Sequence, residues 1–131
     1  MASHVDPEEY QREYLVSVGD RPWGKYTVLA NEETYKVKCV EVEPGGKLSL
    51  QRHVKRDEHW FIQQGSALIT MNTDIREFAM GECVSIRRGN IHRIENVGDT
   101  ILRFIEIQTG DYFGEDDIER LEDHYHRVDD V

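Results

Sequence analysis

Cysteine is nearly absent from this chain: Cys39 and Cys83 are the only two in 131 residues. Both fall in strand-like segments, so a disulfide framework is excluded as the basis of the fold and two buried reduced thiols are expected. Long hydrophobic runs are missing as well. No apolar stretch approaches the roughly 20 residues of a spanning helix, and mean hydropathy is -0.66. The first residues, MASHVDPEEYQREY, lack the basic-then-apolar plan of a secretory signal, which makes the cytoplasm the expected compartment and a membrane partner unexpected. Positive charge is in the minority, with 16 Lys and Arg against 26 Asp and Glu and a net charge of -10. Nucleic acid is therefore not an expected partner, because phosphate backbones are bound by clustered Lys and Arg. Linkers, internal repeats and low-complexity segments are also lacking.

What is present is a rhythm of short β-prone segments separated by turn residues. Tyr26–Ala30, Tyr35–Glu43, Lys47–Gln51, Glu58–Gln64, Ser66–Met71, Ile75–Ala79, Cys83–Ile86, Ile91–Glu95 and Thr100–Thr109 read as strands. They recur about every ten residues without a 3.6-residue apolar period, which predicts an all-β sandwich or barrel. The helical candidate is Glu115–Tyr125, where Ile118 and Leu121 give a thin apolar face and a short helix or turn is expected. The length suits a single domain. The expected division is an N-terminal arm over 1–19, one domain over 20–127 and an acidic tail over 128–131.

Two glycine-framed motifs carry the chemistry. The first runs from Gly45 through Gln51, Arg52, His53 and Glu58 to Gly65; the second runs from Gly81 through Arg87, Arg88, Gly89 and His92 to Asn96. Strand alternation puts Gln51 and His53 on one face, and Arg56, Glu58 and Trp60 on one face of the next segment. With His92 from a distant strand, Gln51, His53 and Glu58 would supply two nitrogens and two oxygens. That donor set suits zinc first, and also manganese, iron, cobalt or nickel, and suits calcium poorly. His59 has the opposite parity to Glu58 and reads as a rim or structural residue. His4, His124 and His126 read as surface residues.

The matching strings go further. Arg21-Pro22-Trp23-Gly24, Tyr35-Lys36-Val37-Lys38, Leu48-Ser49-Leu50-Gln51, Glu58-His59-Trp60, His92-Arg93-Ile94-Glu95-Asn96 and Tyr112-Phe113-Gly114-Glu115-Asp116-Asp117-Ile118 span most of the chain. On these residues the chain resembles the cupin superfamily. More closely, it is similar to the C-terminal cupin domain of type II mannose-6-phosphate isomerases, which is usually fused to a mannose-1-phosphate guanylyltransferase. The resemblance implies a double-stranded β-helix, or jelly-roll barrel, and one divalent metal held by Gln51, His53, Glu58 and His92. The family usually has proline where Arg87 stands and an apolar residue at Arg88. Those two cations would either serve an anionic substrate or balance an acidic surface.

The implied activity is metal-dependent interconversion of mannose 6-phosphate and fructose 6-phosphate, in carbohydrate metabolism and polysaccharide biosynthesis. The metal would polarise the sugar carbonyl and hydroxyl while a base moves a proton. Lys36, Lys38, His59 or a metal-bound hydroxide are the candidates for that base. Arg56 is the first choice for holding substrate oxygens or phosphate, with Arg93 second and Arg88 at the rim. The chain shows no Gly-rich nucleotide-binding stretch, so guanylyl transfer by it is not expected. A non-catalytic metal- or sugar-binding cupin and a small cupin oxygenase are the alternatives. A homodimer is expected, with Val16–Val18 as a strand that could be exchanged.

Overall fold

A computed structural model describes residues 17–122 and 125. Among the described residues the structure is almost entirely β, with eleven strands in order: β1 Ser17–Arg21, β2 Gly24–Asn31, β3 Tyr35–Val42, β4 Leu50–His53, β5 Arg56–Gln64, β6 Ser66–Met71, β7 Asp74–Ala79, β8 Cys83–Ile86, β9 His92–Asn96, β10 Leu102–Gly110 and β11 Ile118–Glu122. They make two antiparallel sheets, β1-β2-β3-β10-β5-β8 and β11-β4-β9-β6-β7. This is the expected jelly-roll arrangement. Each sheet is hydrogen-bonded within itself, and among the described residues the two are not joined into one closed ladder.

Period-two alternation builds the interior. On β5 the inward side chains are Arg56, Glu58, Trp60 and Ile62, and on β10 they are Leu102, Phe104, Glu106 and Gln108. The antiparallel register sets Phe104 opposite Ile62, Glu106 opposite Trp60 and Gln108 opposite Glu58. One end of the interior is thus apolar and the other carries buried polar groups. The apolar end holds Ile62, Leu102 and Phe104 together with Val42, Ile69 and Ile94 from neighbouring strands. Gly24 closes the β2–β3 ladder at φ +153°, where a Cβ would stand 2.0 Å from the Glu41 carbonyl oxygen, so only glycine fits.

Some expectations need correction. β11 was not anticipated, and of β1 only the Val16–Val18 stretch was. Glu115–Asp117 forms one 3-10 turn, and the helical candidate continues as β11, paired with β4. Ile118 favours a strand and Leu121 a helix, and the free edge of β4 decides for strand. The segment expected over Lys47–Gln51 is displaced to Leu50–His53, because Lys47 makes only an isolated bridge to Glu95 while β11 pairs with residues from Leu50 onward. The thiols are not buried: Cys39 is half-buried and Cys83 exposed, because both point to the outer face of the six-stranded sheet, where each lies in register beside an outward residue. β1 crosses the boundary drawn at residue 19 and pairs with β2 of its own chain. The acidic tail, most of the N-terminal arm, Val16, His4, His124 and His126 lie outside the described residues.

Candidate metal centre

Glu58 reaches inward from the six-stranded sheet; His53 and His92 come from β4 and β9 of the other. Their ligand atoms lie within 4.8 Å of one another, and all three side chains are buried. His53 Nε2 stands 3.0 Å from Glu58 Oε2. The Trp60 indole donates to Glu58 Oε1 at 3.0 Å. His92 Nδ1 lies 3.0 Å from the Asn90 carbonyl oxygen, an acceptor only, so it is Nδ1 that carries the proton and Nε2 that presents a lone pair. Gln51 stands directly across from His92 in the β4–β9 pair and lines the same cavity. Its amide nitrogen donates to Ser49 Oγ at 2.8 Å, which leaves the amide oxygen as the atom it can offer a cation. This buried set of two imidazoles and a carboxylate could hold a divalent metal.

The surroundings tune these groups. Burial alone would raise the Glu58 carboxyl, but the His53 hydrogen bond and the charges of His53, Arg56 and His92 outweigh it and hold the group well below the usual carboxylate range. Burial pushes the His92 imidazole down, against the pull of Glu58. Both shifts favour the deprotonated forms that a metal requires. The loop after His53 is clamped from a distance: Val54 and Lys55 donate their amides to the Asp117 carboxylate at 3.2 and 3.0 Å, and Gly89 donates to the His53 carbonyl at 2.7 Å.

The centre opens into a cavity of about 70 Å³. Arg21, Lys38, Arg56, Arg93 and Arg120 line it against only two carboxylates, Glu58 and Glu106. In a chain of net charge -10 this is a local reversal of sign. Lys38 and Arg21 both stack on the Tyr26 ring, 4.5 and 5.0 Å from its centroid. Arg93 is tied to structure as well: it donates to the Leu48 carbonyl at 2.9 Å and to Glu122 at 2.8 Å, joining β9 to the segment before β4 and to β11.

Of the residues singled out in the sequence, Gln51, Glu58, His92, Lys38, Arg56 and Arg93 line this cavity, and His53 sits behind its wall against Glu58 and His92. Lys36 does not line it. His59 faces the other side of β5, with Nδ1 2.9 Å from Ser85 Oγ, because its parity is opposite to Glu58. Arg88 is half-exposed beside Asp57 at 3.7 Å, outside the cavity. Arg21, Glu106 and Arg120 were missed. Glu106 had a signal: it shares the parity of Leu102 and Phe104 and so lies on the same face of β10. Arg120 had none, since β11 itself was not anticipated.

Glu106 is buried, and burial followed by the Glu58 charge raises its carboxyl above the ordinary range, with Lys38, Arg56 and a Gln108 hydrogen bond opposing. A carboxyl raised in the folded state binds its proton more tightly folded than unfolded. Its contribution favours folding below the ordinary carboxyl value of about 4.3 and is lost as pH rises through the folded-state value. Glu106→Gln should therefore gain on the wild type, in thermal melts, as pH rises from about 4 to about 8. A gap that stays flat over that range would contradict the shift.

The family model described as mannose-6-phosphate isomerase C-terminal matches residues 8–123. A Salmonella typhimurium protein named mannose-1-phosphate guanylyltransferase RfbM is 43% identical over 117 residues, covering 89% of this chain and 24% of the relative. The alginate biosynthesis protein AlgA of Pseudomonas aeruginosa is 42% identical over 108 residues, covering 82% of this chain and 22% of the relative. Among solved structures, the Cnp3 cupin domain of Schizosaccharomyces pombe superposes with a TM-score of 0.64 at 23% identity, covering 66% of this chain and 64% of that one. The last likeness shows the fold alone, an all-β cupin. The chain spans less than a quarter of the length of the two curated relatives. The expectation of a mannose-6-phosphate isomerase without guanylyltransferase activity is overturned here, because curated relatives at this level of identity are named for guanylyl transfer. A search for nucleotide motifs in this chain could not have seen that, since the match covers so small a share of those enzymes.

Proposed function

We propose a function from one premise: the chain belongs to the mannose-6-phosphate isomerase C-terminal family. It is the metal-dependent sugar-phosphate-binding module of a mannose-1-phosphate guanylyltransferase type of enzyme, in polysaccharide biosynthesis. The observation that carries this reading is the buried His53, Glu58 and His92 cluster at the base of a cavity lined by five cations and two carboxylates. A metal there, zinc first among the transition metals, would polarise sugar oxygens as a Lewis acid. Gln51 completes the ligand set through its amide oxygen. Lys38 and Arg56 face the anionic part of the ligand from the wall, and Arg93 ties β9 to Leu48 and β11 behind them. The same reading takes the chain as a cytoplasmic homodimer that binds neither nucleic acid nor membrane; the net charge of -10 supports the first of these exclusions.

Calorimetric titration with mannose 1-phosphate tests it. The metal-loaded protein should bind this sugar phosphate and bind free mannose far more weakly. Lys38→Met should keep its metal and lose roughly 1.5–3 kcal/mol of sugar-phosphate binding, the worth of a hydrogen bond to a charged group. Equal binding of mannose and mannose 1-phosphate would sink the reading.

A further inference from the structure

Arg56 is buried, and its guanidinium lies among the atoms that would ligate a metal. Nε donates to Glu58 Oε2 at 2.9 Å, and Nη2 is 3.3 Å from His53 Nε2. The other Glu58 oxygen is engaged by Trp60. Oε2 is thus the oxygen turned toward His53, and the guanidinium shares it. His53 Nε2 has either one proton or one lone pair. With a proton it donates to Glu58 Oε2 at 3.0 Å, and with a lone pair it accepts from Arg56; a metal at this nitrogen displaces either partner. A guanidinium and a dication on the same carboxylate oxygen, in a water-poor site, also repel each other strongly. A buried carboxylate needs a counter-ion at all times, and arginine, which does not deprotonate, supplies one. The same side chain lines the cavity that Lys38 and Arg93 line.

We propose that Arg56 is the resident counter-ion of the metal centre: a divalent metal takes its place at His53 and Glu58, and the released guanidinium turns to the anionic part of the cavity's ligand. Metal loading and anion binding are then coupled through one side chain. The inference rests on the metal and sugar-phosphate reading above. Until it is released, Arg56 lowers the apparent metal affinity by the fraction of molecules in which it holds the ligand atoms.

The test titrates metal-depleted protein with Co²⁺, read by calorimetry and by visible absorption. Arg56→Met should bind Co²⁺ about tenfold more tightly than the wild type, once competition and repulsion are removed. Before Co²⁺ is added the variant should melt below the wild type, because Glu58 has lost its counter-ion. In the wild type Co²⁺ should tighten mannose 1-phosphate binding more than it does in Arg56→Met. Should Arg56→Met not fold, the wild type alone decides: the Arg56 Nε–H proton signal, assigned by its loss in Arg56→Lys, should shift on adding Zn²⁺. Equal or weaker Co²⁺ binding by Arg56→Met, or an unmoved Nε–H signal, overturns the exchange while leaving the metal centre standing. Failure of both proteins to take up Co²⁺ overturns the metal centre and the exchange together.

Discussion

His92→Ala should lose divalent metal affinity by at least about 100-fold, since even outer partners of metal ligands are worth 10–100-fold. His92 is the best-prepared ligand in the centre. Its Nδ1 is held by the Asn90 carbonyl oxygen at 3.0 Å, and its ring lies 5.5 Å from Trp60 and 5.0 Å from His53. Removing the ring takes away both an inner nitrogen and the packing that sets the angle of His53. Trp60→Phe should show a smaller loss, about tenfold, because it removes only the indole donor on Glu58. His59→Ala is the control: it neighbours Glu58 in sequence but faces the opposite side of the sheet, and its metal affinity should not change. Metal analysis after dialysis reads all three. Full occupancy in His92→Ala would refute the centre as drawn.

Phe104→Ala should destabilise the fold by about 3–5 kcal/mol, the cost of a large side chain removed from a core that cannot collapse around the void. Phe104 is 0% exposed, and its ring lies 5.1 Å from that of Trp60. Such a loss is a large share of the 5–15 kcal/mol that holds a typical domain together. Urea unfolding should show a lower midpoint with little change in slope. Metal affinity should fall too, because Trp60 can tilt into the void and release Glu58. Phe61→Ala, one residue from Trp60 but 42% exposed, should stay within about 0.5 kcal/mol of the wild type. Comparable losses from the two variants would mean that the inward and outward faces of the six-stranded sheet are wrongly assigned.

These contrasts turn on strand parity, and parity is the part of the architecture that local sequence declares. In the folded strands Leu102–Gly110 and Arg56–Gln64 alternate cleanly, and parity sorts their side chains into two sets, but apolar Phe61, Ile105 and Ile107 fall on the outer face, so which set is inward comes from the fold. By parity His59 could be set apart from Glu58. The strand that escaped notice, Ile118–Glu122, and the one seen only in part, Ser17–Arg21, are rich in charge and poor in β-branched residues. They are strands because β2 and β4 offer edges to pair with.

The sequence by itself determined the candidate donor residues, which of them share a strand parity and the all-β rhythm, because each depends on residues a few positions apart. Only the tertiary structure decided what meets across the two sheets. It set Glu58 from one sheet against His53 and His92 from the other, brought Lys38, Glu106 and Arg120 to the same cavity, and laid the Arg56 guanidinium on His53. Those meetings depend on register between strands far apart in the chain, such as Gln108 opposite Glu58. No local propensity encodes such a register; it follows from burying both apolar faces at once.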